Sequence, residues 1–404
     1  MNLPDFDLFN PSPEHKLLRQ SVREFVQHEV EPQAGDFDAK ELFNLGLFRK
    51  LGDLGLLGIT APEEFGGSGM DALSAVIAHE EISYSDPGFC LAYLAHAMLC
   101  VNNLAVNGST EQKQRYLPKL CSGEWVGAMG LSEPHVGTDV LGMKTTVGKT
   151  ADGFSINGRK LWITNGTIDE AGKPCDVLWL YAKTGSDPKG RAQISTFIVE
   201  GTFAGFSVGQ KIRQKSGMRA SNTAELCFDD CKVPLANLVG QEGDSLTHMM
   251  RNLEMERLTL AAMSVGIAKR SLDVMLKYAN ERQAFGKPIA SFGQVQRHIA
   301  DSYAEYQAAR TYVYNTARGL SLTSGGNRLD SDGAKLFAAP VGKTIADRAI
   351  QVLGGFGYVG QYVVERLWRD SKLLEIGGGT LEAHQKNITV DLQKRVQSGN
   401  LRLD

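Results

Sequence analysis

The apolar residues of this 404-residue chain change their spacing twice, and few folds accommodate that double switch. Up to about residue 125 they recur every three to four positions, the period of one helix face. In "SPEHKLLRQSVREFVQHEVEP", Ser12 stands where a helix N-cap belongs and Pro13 at the first helical position. Leu18, Val22, Phe25 and Val26 then share one face. "DALSAVIAHEEISYSD" and "EQKQRYLPKL" carry similar patterns, and "ITAPEEFGGSG" is a Pro/Gly loop. From Glu124 to about Val239, short β-rich runs alternate with turn residues; "SINGRKLWIT", "DVLWLYAKT", "ISTFIVEG" and "AELCFDDCKVP" are the clearest. After "GQEGDS" the helical period returns in four long segments: one from Ser245 to Gly286, "GQVQRHIADSYAEYQAARTYVYNTARGL", "DGAKLFAAPVGKTIADRAIQVLGG" and "LEAHQKNITVDLQKRV". The expectation is an α+β, mostly α chain with an N-terminal helical domain (1–125), a middle β domain (126–240) and a C-terminal four-helix bundle (241–404).

Composition excludes several function classes. Apolar residues make up 42% and charged residues 22%, an ordinary globular balance. A net charge of −3 supplies neither a basic field for nucleic acid nor a polybasic membrane patch. No apolar run reads as long enough to span a bilayer. The start, "MNLPDFDLFNPSPEH", has three acids and no Arg, so it reads as neither signal nor transit peptide. A bacterial cytoplasm is expected, or the mitochondrial matrix for a processed eukaryotic chain. The six cysteines form no CxxC pair and read as reduced, mostly buried thiols. The histidines show no HExxH spacing, so no metal site is expected.

One acid is out of place. In "NLEMERLTLAAMSVGI", Leu253, Leu260, Met263 and Ile267 mark a buried helix face, and the position that completes it is Glu256. A buried carboxylate must be paired, shifted in pKa, or facing a cavity. Arg257 is its chain neighbour but points about 100° away. Two readings stay open: a helix–helix salt bridge, with Arg297 or Lys269 as partner, and a reactive acid.

Other segments gain meaning from context. Gly355 to Gly360 match GxGxxG, but a helical pattern precedes them and no βαβ unit surrounds them, which argues against a Rossmann site. A helix end and turn, or a glycine surface that a ligand approaches closely, fits better. "LSEPHVGTD" (Leu131–Asp139) offers hydroxyls and free backbone N–H groups in a turn. In "LWITNG", Trp162 beside Thr164 suits stacking and hydrogen bonding to a flat heteroaromatic ring, or simple core packing. "EIGGGTLEAHQ" (Glu375–Gln385) places three glycines before a helix that Thr380 would cap. A flexible hinge is the other reading of those glycines.

Together, "LSEPHVGTD", "LWITNG", "GMRASNT", "ERQAFG", "QVLGGFGY" and "RD…EIGGGT" resemble the acyl-CoA dehydrogenase family over nearly the whole chain. "LGITAPEEFGGSG", "AHEEIS" and "KLCSGEWVGAMGLSEP" look like its isovaleryl-CoA subgroup. The resemblance implies an N-terminal helical domain, a β-barrel-like middle domain and a C-terminal four-helix bundle, usually in a homotetramer with one FAD per subunit. It implies that Leu131, Ser132, Thr138, Trp162 and Thr164 border the flavin. Arg282, Phe285, Gln351, Gly354 and Gly355 would reach the FAD of a neighbouring subunit, and Thr380 and Glu382 would touch FAD as well. Gly293 stands where many relatives carry Gln, and "GTIDEAGKPCD" is longer than the corresponding turn.

Most relatives place the catalytic base in a Tyr-Glu-Gly-Thr motif. The same slot here reads Gly377-Gly378-Gly379-Thr380 and has no carboxylate. The isovaleryl type carries its base on the long helix just before an Arg, which is Glu256 before Arg257 here. The implied reaction is α,β-dehydrogenation of a short branched acyl-CoA, with Glu256 as α-proton base and hydride transfer to flavin N5. The Gly378 N–H would stabilise the enolate-like charge, and Thr138, Leu253, Arg257, Gly377 and Gly378 would border substrate. Electron-transferring flavoprotein is the implied acceptor. Gly378→Glu would restore part of the activity of Glu256→Gln, mainly toward straight chains. Rival readings are a dehydrogenase for another branched, terpenoid or longer chain, set by lining residues such as Leu94, Met98 and Leu260; an oxygen-using oxidase; and a non-catalytic flavin-fold scaffold.

Overall fold

The computed structural model describes residues 7–326 and 328–399, so the first six residues of the acidic N-terminal stretch lie outside it. Two compact units emerge, each assembled from separated segments. Met1–Pro32, Ala72–Pro87 and Glu254–Asp404 form the first; Gln33–Asp71 and Gly88–Leu253 form the second.

The first unit is helical. Helix Pro13–Phe25 starts as its sequence predicts: Ser12 is extended and its Oγ accepts from the His15 N–H at 3.4 Å. Helix Ala72–Ser85 is buried at every residue but Tyr84, including Glu80 and Glu81. Burying a carboxylate is costly unless it is paired, and these two are paired. Glu80 has Arg19 and Arg310 each at 2.8 Å, and Glu81 has Arg19 at 2.6 Å. These pairs tie the 13–25 and 72–85 helices to helix Gly293–Gly319. The longest helix, Ser245–Glu281, joins through Ser83 Oγ, which donates to the Met263 carbonyl at 3.1 Å. It stops earlier than its sequence pattern suggests. Gly286 (φ +80) and Pro288 cannot continue a helix, and Gln283–Ala284 pairs with Lys287–Pro288 in a small hairpin tipped by Phe285.

Helices Arg328–Leu353 and Leu381–Gln397 follow as expected, and Thr380 Oγ1 caps the latter by accepting from the Ala383 N–H at 3.2 Å. Gly354 (φ +60) ends the former, and the GxGxxG stretch makes one helical turn, Gly355–Tyr358. A helix, not a strand, precedes it, so this is no dinucleotide fingerprint. Helix Val364–Leu374 is an element that the sequence reading did not mark.

The second unit holds the strands. β1 (Gly127–Gly130), β2 (Thr146–Lys149), β3 (Gly153–Thr164), β4 (Val177–Ser186), β5 (Ala192–Glu200), β6 (Phe206–Lys211), β7 (Thr223–Pro234) and β8 (Leu238–Val239) form one mixed sheet. Its order is β6-β7-β3-β2-β4-β5-β8, with β1 parallel to β4. The β3–β7 ladder runs antiparallel from Gly153↔Pro234 to Thr164↔Thr223 and loses register between Lys160 and Ile163. Helix Thr110–Cys121 starts with a capping box made by Ser109 and Gln112.

One expectation needs correction. Pro87–Asn107 is long and apolar enough to cross a bilayer. His96, Asn102, Asn103 and Asn107 break it into shorter apolar runs, none of which spans a bilayer by itself. In the fold 89% of its most apolar window is buried inside the protein, as in a core helix.

Candidate active site

Glu256 is 7% exposed, and its Oε2 has no hydrogen-bond partner among the described residues. Neither sequence-proposed partner reaches it: Lys269 faces Glu81 at 3.9 Å, and Arg297 faces Asp301 at 3.4 Å. Burial raises its pKa above the ordinary carboxyl value; Lys335 and Arg257 oppose this without cancelling it. An acid that is buried, unpaired and raised in proton affinity has the properties of a general base.

The glycine run lies against it. A Cβ placed on Gly378 would stand 3.3 Å from Glu256 Oε1 and 2.4 Å from Leu260 Cδ1, and Gly378 has φ +66. The leucine methyl can shift, but the backbone conformation disfavours any side chain. The expected rescue by Gly378→Glu is therefore opposed by this local geometry. Gly379 (φ +105) is confined by the His384 ring, 3.0 Å from a Cβ built there.

Four residues behind the turn complete the cluster. Lys335 Nζ donates to the Gly377 carbonyl, to the Gly379 carbonyl at 2.7 Å, and to His384 Nε2 at 3.2 Å. His384 Nδ1 bonds Asp332 Oδ1 at 2.8 Å, which assigns the proton to Nδ1 and leaves Nε2 as acceptor. Arg257 Nη1 lies 2.8 Å from the same Asp332 oxygen, close enough for an ion pair but poorly aligned for a hydrogen bond. Arg257 Nε reaches the Gly378 carbonyl at 3.4 Å. Burial lowers the Lys335 pKa to about 7, against the pull of Glu256. Sequence reading missed Lys335, Asp332 and His384. A signal was present: Lys335 interrupts the buried stripe Ser331, Ala338, Gly342, Ile345, as Glu256 interrupts its own.

The remaining first-unit candidates sit at the surface. Arg282, Gln351, Gly354, Gly355 and Glu382 are exposed, and Phe285 is 95% exposed. A Cβ at Gly354, Gly355 or Gly293 would meet nothing within 4 Å. Thr380 and Gly377 are half-buried.

In the second unit, Trp162 is 60% exposed although Lys160 and Ile163 beside it are buried. Its φ of +66 and the slipped register of β3 turn the indole outward. Thr164 and Ser132 are half-buried, Leu131 is buried and Thr138 is exposed. A second buried pair supports this loop. Lys160 Nζ donates to the Leu131 carbonyl at 3.0 Å and to Glu133 Oε1 at 2.9 Å. Glu133 also accepts from the Lys144 and Thr145 N–H groups at 2.7 and 3.0 Å, and Leu161 N–H donates to the Ser132 carbonyl at 2.9 Å. The longer 166–176 turn is closed by Thr167 Oγ1, which donates to the Lys173 carbonyl at 2.9 Å, and pinned by Arg213 on Glu170. Leu253 is half-buried; Leu94, Met98 and Leu260 are buried.

Family models of the acyl-CoA dehydrogenase N-terminal, middle and C-terminal domains match residues 12–124, 128–231 and 244–392. The chain belongs to the acyl-CoA dehydrogenase family and is an oxidoreductase. Mitochondrial isovaleryl-CoA dehydrogenase of Solanum tuberosum is 43% identical over 97% of this chain and 94% of its own. Butyryl-CoA dehydrogenase of Megasphaera elsdenii superposes with a TM-score of 0.88 at 33% identity, covering 97% of this chain and 100% of that one. An acyl-CoA dehydrogenase of Bacillus anthracis solved in complex with FAD gives 0.88 at 32%, covering 96% of this chain and 68% of that one.

Proposed function

We propose that the chain dehydrogenates a short branched acyl-CoA, isovaleryl-CoA first, with Glu256 as the base. The observation that carries this reading is the buried carboxylate without a hydrogen-bond partner for Oε2, set against the glycine run Gly377–Gly379, which offers no carboxylate of its own.

FAD is the cofactor, and the residues fit it: an indole turned outward at Trp162 beside a half-buried Thr164 suits a flat ring system. Leu131, Ser132 and Thr138 would border it, with Thr380 and Glu382. Arg282, Phe285, Gln351, Gly354 and Gly355 would serve the FAD of a second subunit in a homotetramer; the 95% exposed Phe285 ring favours cover by another copy. FAD, when bound, supplies the hydride acceptor.

This chain's residues handle the proton and the charge. Glu256 takes the α-proton; its raised proton affinity narrows the gap to so weak a carbon acid. The thioester oxygen then gathers negative charge and needs fixed donors. Among the described residues no acceptor pairs with the Gly378 N–H, which leaves it for that oxygen. Gly377 and Gly378 leave room for a methyl branch at the β-carbon, and Thr138, Leu253 and Arg257 would border the acyl-CoA. Electron-transferring flavoprotein is the proposed acceptor, and 1–125, 126–240 and 241–404 the proposed functional domains.

A screen of acyl chains with a dye acceptor, on the yellow FAD-loaded protein, tests the reading. Isovaleryl-CoA should reduce the dye fastest. Faster turnover with octanoyl- or palmitoyl-CoA would overturn the substrate assignment.

A further inference from the structure

The Gly377–Gly379 turn has no side chain to hold it, and two of its glycines have positive φ. Such a segment loses more backbone entropy on ordering than any other. Yet its three carbonyls are all claimed: those of Gly377 and Gly379 by Lys335, that of Gly378 by Arg257. The peptide unit is planar and trans, so the C=O of one residue and the N–H of the next point in opposite directions. Holding the Gly377 carbonyl therefore aims the Gly378 N–H to the opposite side. An ammonium has three N–H donors, and Lys335 meets three acceptors: two carbonyls and His384 Nε2. A neutral amine would lose one of those bonds and set a lone pair against an acceptor. The geometry thus favours the charged form that burial opposes. The cation also sits on the turn that meets Glu256: it holds the carbonyls on either side of Gly378, where a Cβ would stand 3.3 Å from Glu256 Oε1, and it opposes the rise that burial gives the Glu256 pKa.

We propose that Lys335 is a positioning residue of the reaction centre. It clamps the glycine turn so that the Gly378 N–H faces substrate, and it places a positive charge on the turn that lies against Glu256. The inference rests on the reading of Glu256 and Gly378 given above. The charged and titratable groups around this position are Glu256 and Arg257 on the 245–281 helix, Asp332 on the 328–353 helix, and His384 on the 381–397 helix. His384 and Asp332 orient the clamp from behind.

The test uses FAD-loaded holoenzyme carrying Lys335→Met, Lys335→Gln or Lys335→Arg. Lys335→Met should lower kcat about 10- to 100-fold with KM changed far less, because the donor is misplaced where charge develops. The acid limb of its pH profile should rise by about one unit, since a cation favouring the carboxylate is gone. Lys335→Gln keeps donors without charge: the limb should move while kcat is partly retained. Lys335→Arg keeps the charge, and its limb should stay in place. Unchanged kcat and pH profiles in both neutral variants, with only a lower Tm, would reduce Lys335 to a structural residue and overturn the proposal. If Lys335→Met yields no folded protein, Lys335→Gln decides by the same limb.

A stability cycle separates this proposal from the assignment of Glu256. A carboxyl whose folded pKa is raised costs stability as pH climbs from about 4.5 through the folded value. Glu256→Gln should therefore raise Tm at neutral pH, and raise it further when Lys335→Met is also present. Equal increments with and without Lys335→Met would sink the electrostatic half of the proposal even if Glu256 is the base. Normal turnover of Glu256→Gln would instead sink the base and leave the cycle to judge the lysine.

Discussion

Two buried lysines and two buried glutamates are put to opposite uses in this chain. In the second unit Lys160 and Glu133 bond directly at 2.9 Å, and Glu133 also collects two backbone N–H groups. Burial pushes the Glu133 carboxyl up, but Lys160 and those N–H donors outweigh it, and its pKa falls below the usual value. In the first unit Lys335 spends its donors on carbonyls and an imidazole, and Glu256 keeps an orphaned oxygen. There burial prevails and the pKa rises. Composition of a pair does not decide whether it is mortar or machinery. What decides is whether the carboxylate's own hydrogen bonds are filled.

The largest break in this comparison should come from Lys160→Met. It strands the buried Glu133 charge and should cost about 3–5 kcal/mol, read by denaturant unfolding. Adding Glu133→Gln should return part of that loss, because no uncompensated charge remains. Next in size, Glu256→Gln should bind FAD, seen as a retained flavin absorbance band, yet lose at least about 10²-fold in rate, the scale of general-base removal. Near-normal turnover would remove Glu256 from its role.

The two acids should also answer pH with opposite signs. Glu133, held low, contributes stability above the ordinary carboxyl pKa and loses it as pH falls through its folded value. Glu256, held high, costs stability as pH rises above about 4.5. Melting curves of Glu133→Gln and Glu256→Gln from pH 4 to 8 should diverge from the parent in opposite directions. Smallest is Gly378→Ala. Its φ of +66 and the contact with Leu260 should cost about 1 kcal/mol or somewhat more, measured by thermal unfolding. A stabilised variant would show that the turn does not need glycine.

Much of this was legible in the residues. Ser12, Pro13 and Thr380 announced helix starts because capping is local chemistry, and Glu256 stood out because it breaks a stripe of one period. The end of the long helix was misjudged, since the 3.6-residue pattern outlasts the point where Gly286 and Pro288 stop it. The clamp behind the glycine turn was not seen. Its members lie on three helices, at Arg257, at Asp332 and Lys335, and at His384, and no spacing rule links residues so far apart in the chain. Lys335 alone left a local trace, a charge in an apolar stripe, of the same kind that exposed Glu256.

The nested order of the two units bears on how the chain can be made. Helix Ala72–Ser85 is buried on nearly all sides, charged residues included, and Ser83 waits for Met263, 180 positions downstream. At roughly 5–20 residues per second on a ribosome, that is about 10 to 40 s before the helix meets this later partner. A nascent chain with so long a wait needs shelter, so it should depend on a holding chaperone during synthesis more than a protein whose domains close in the order they emerge.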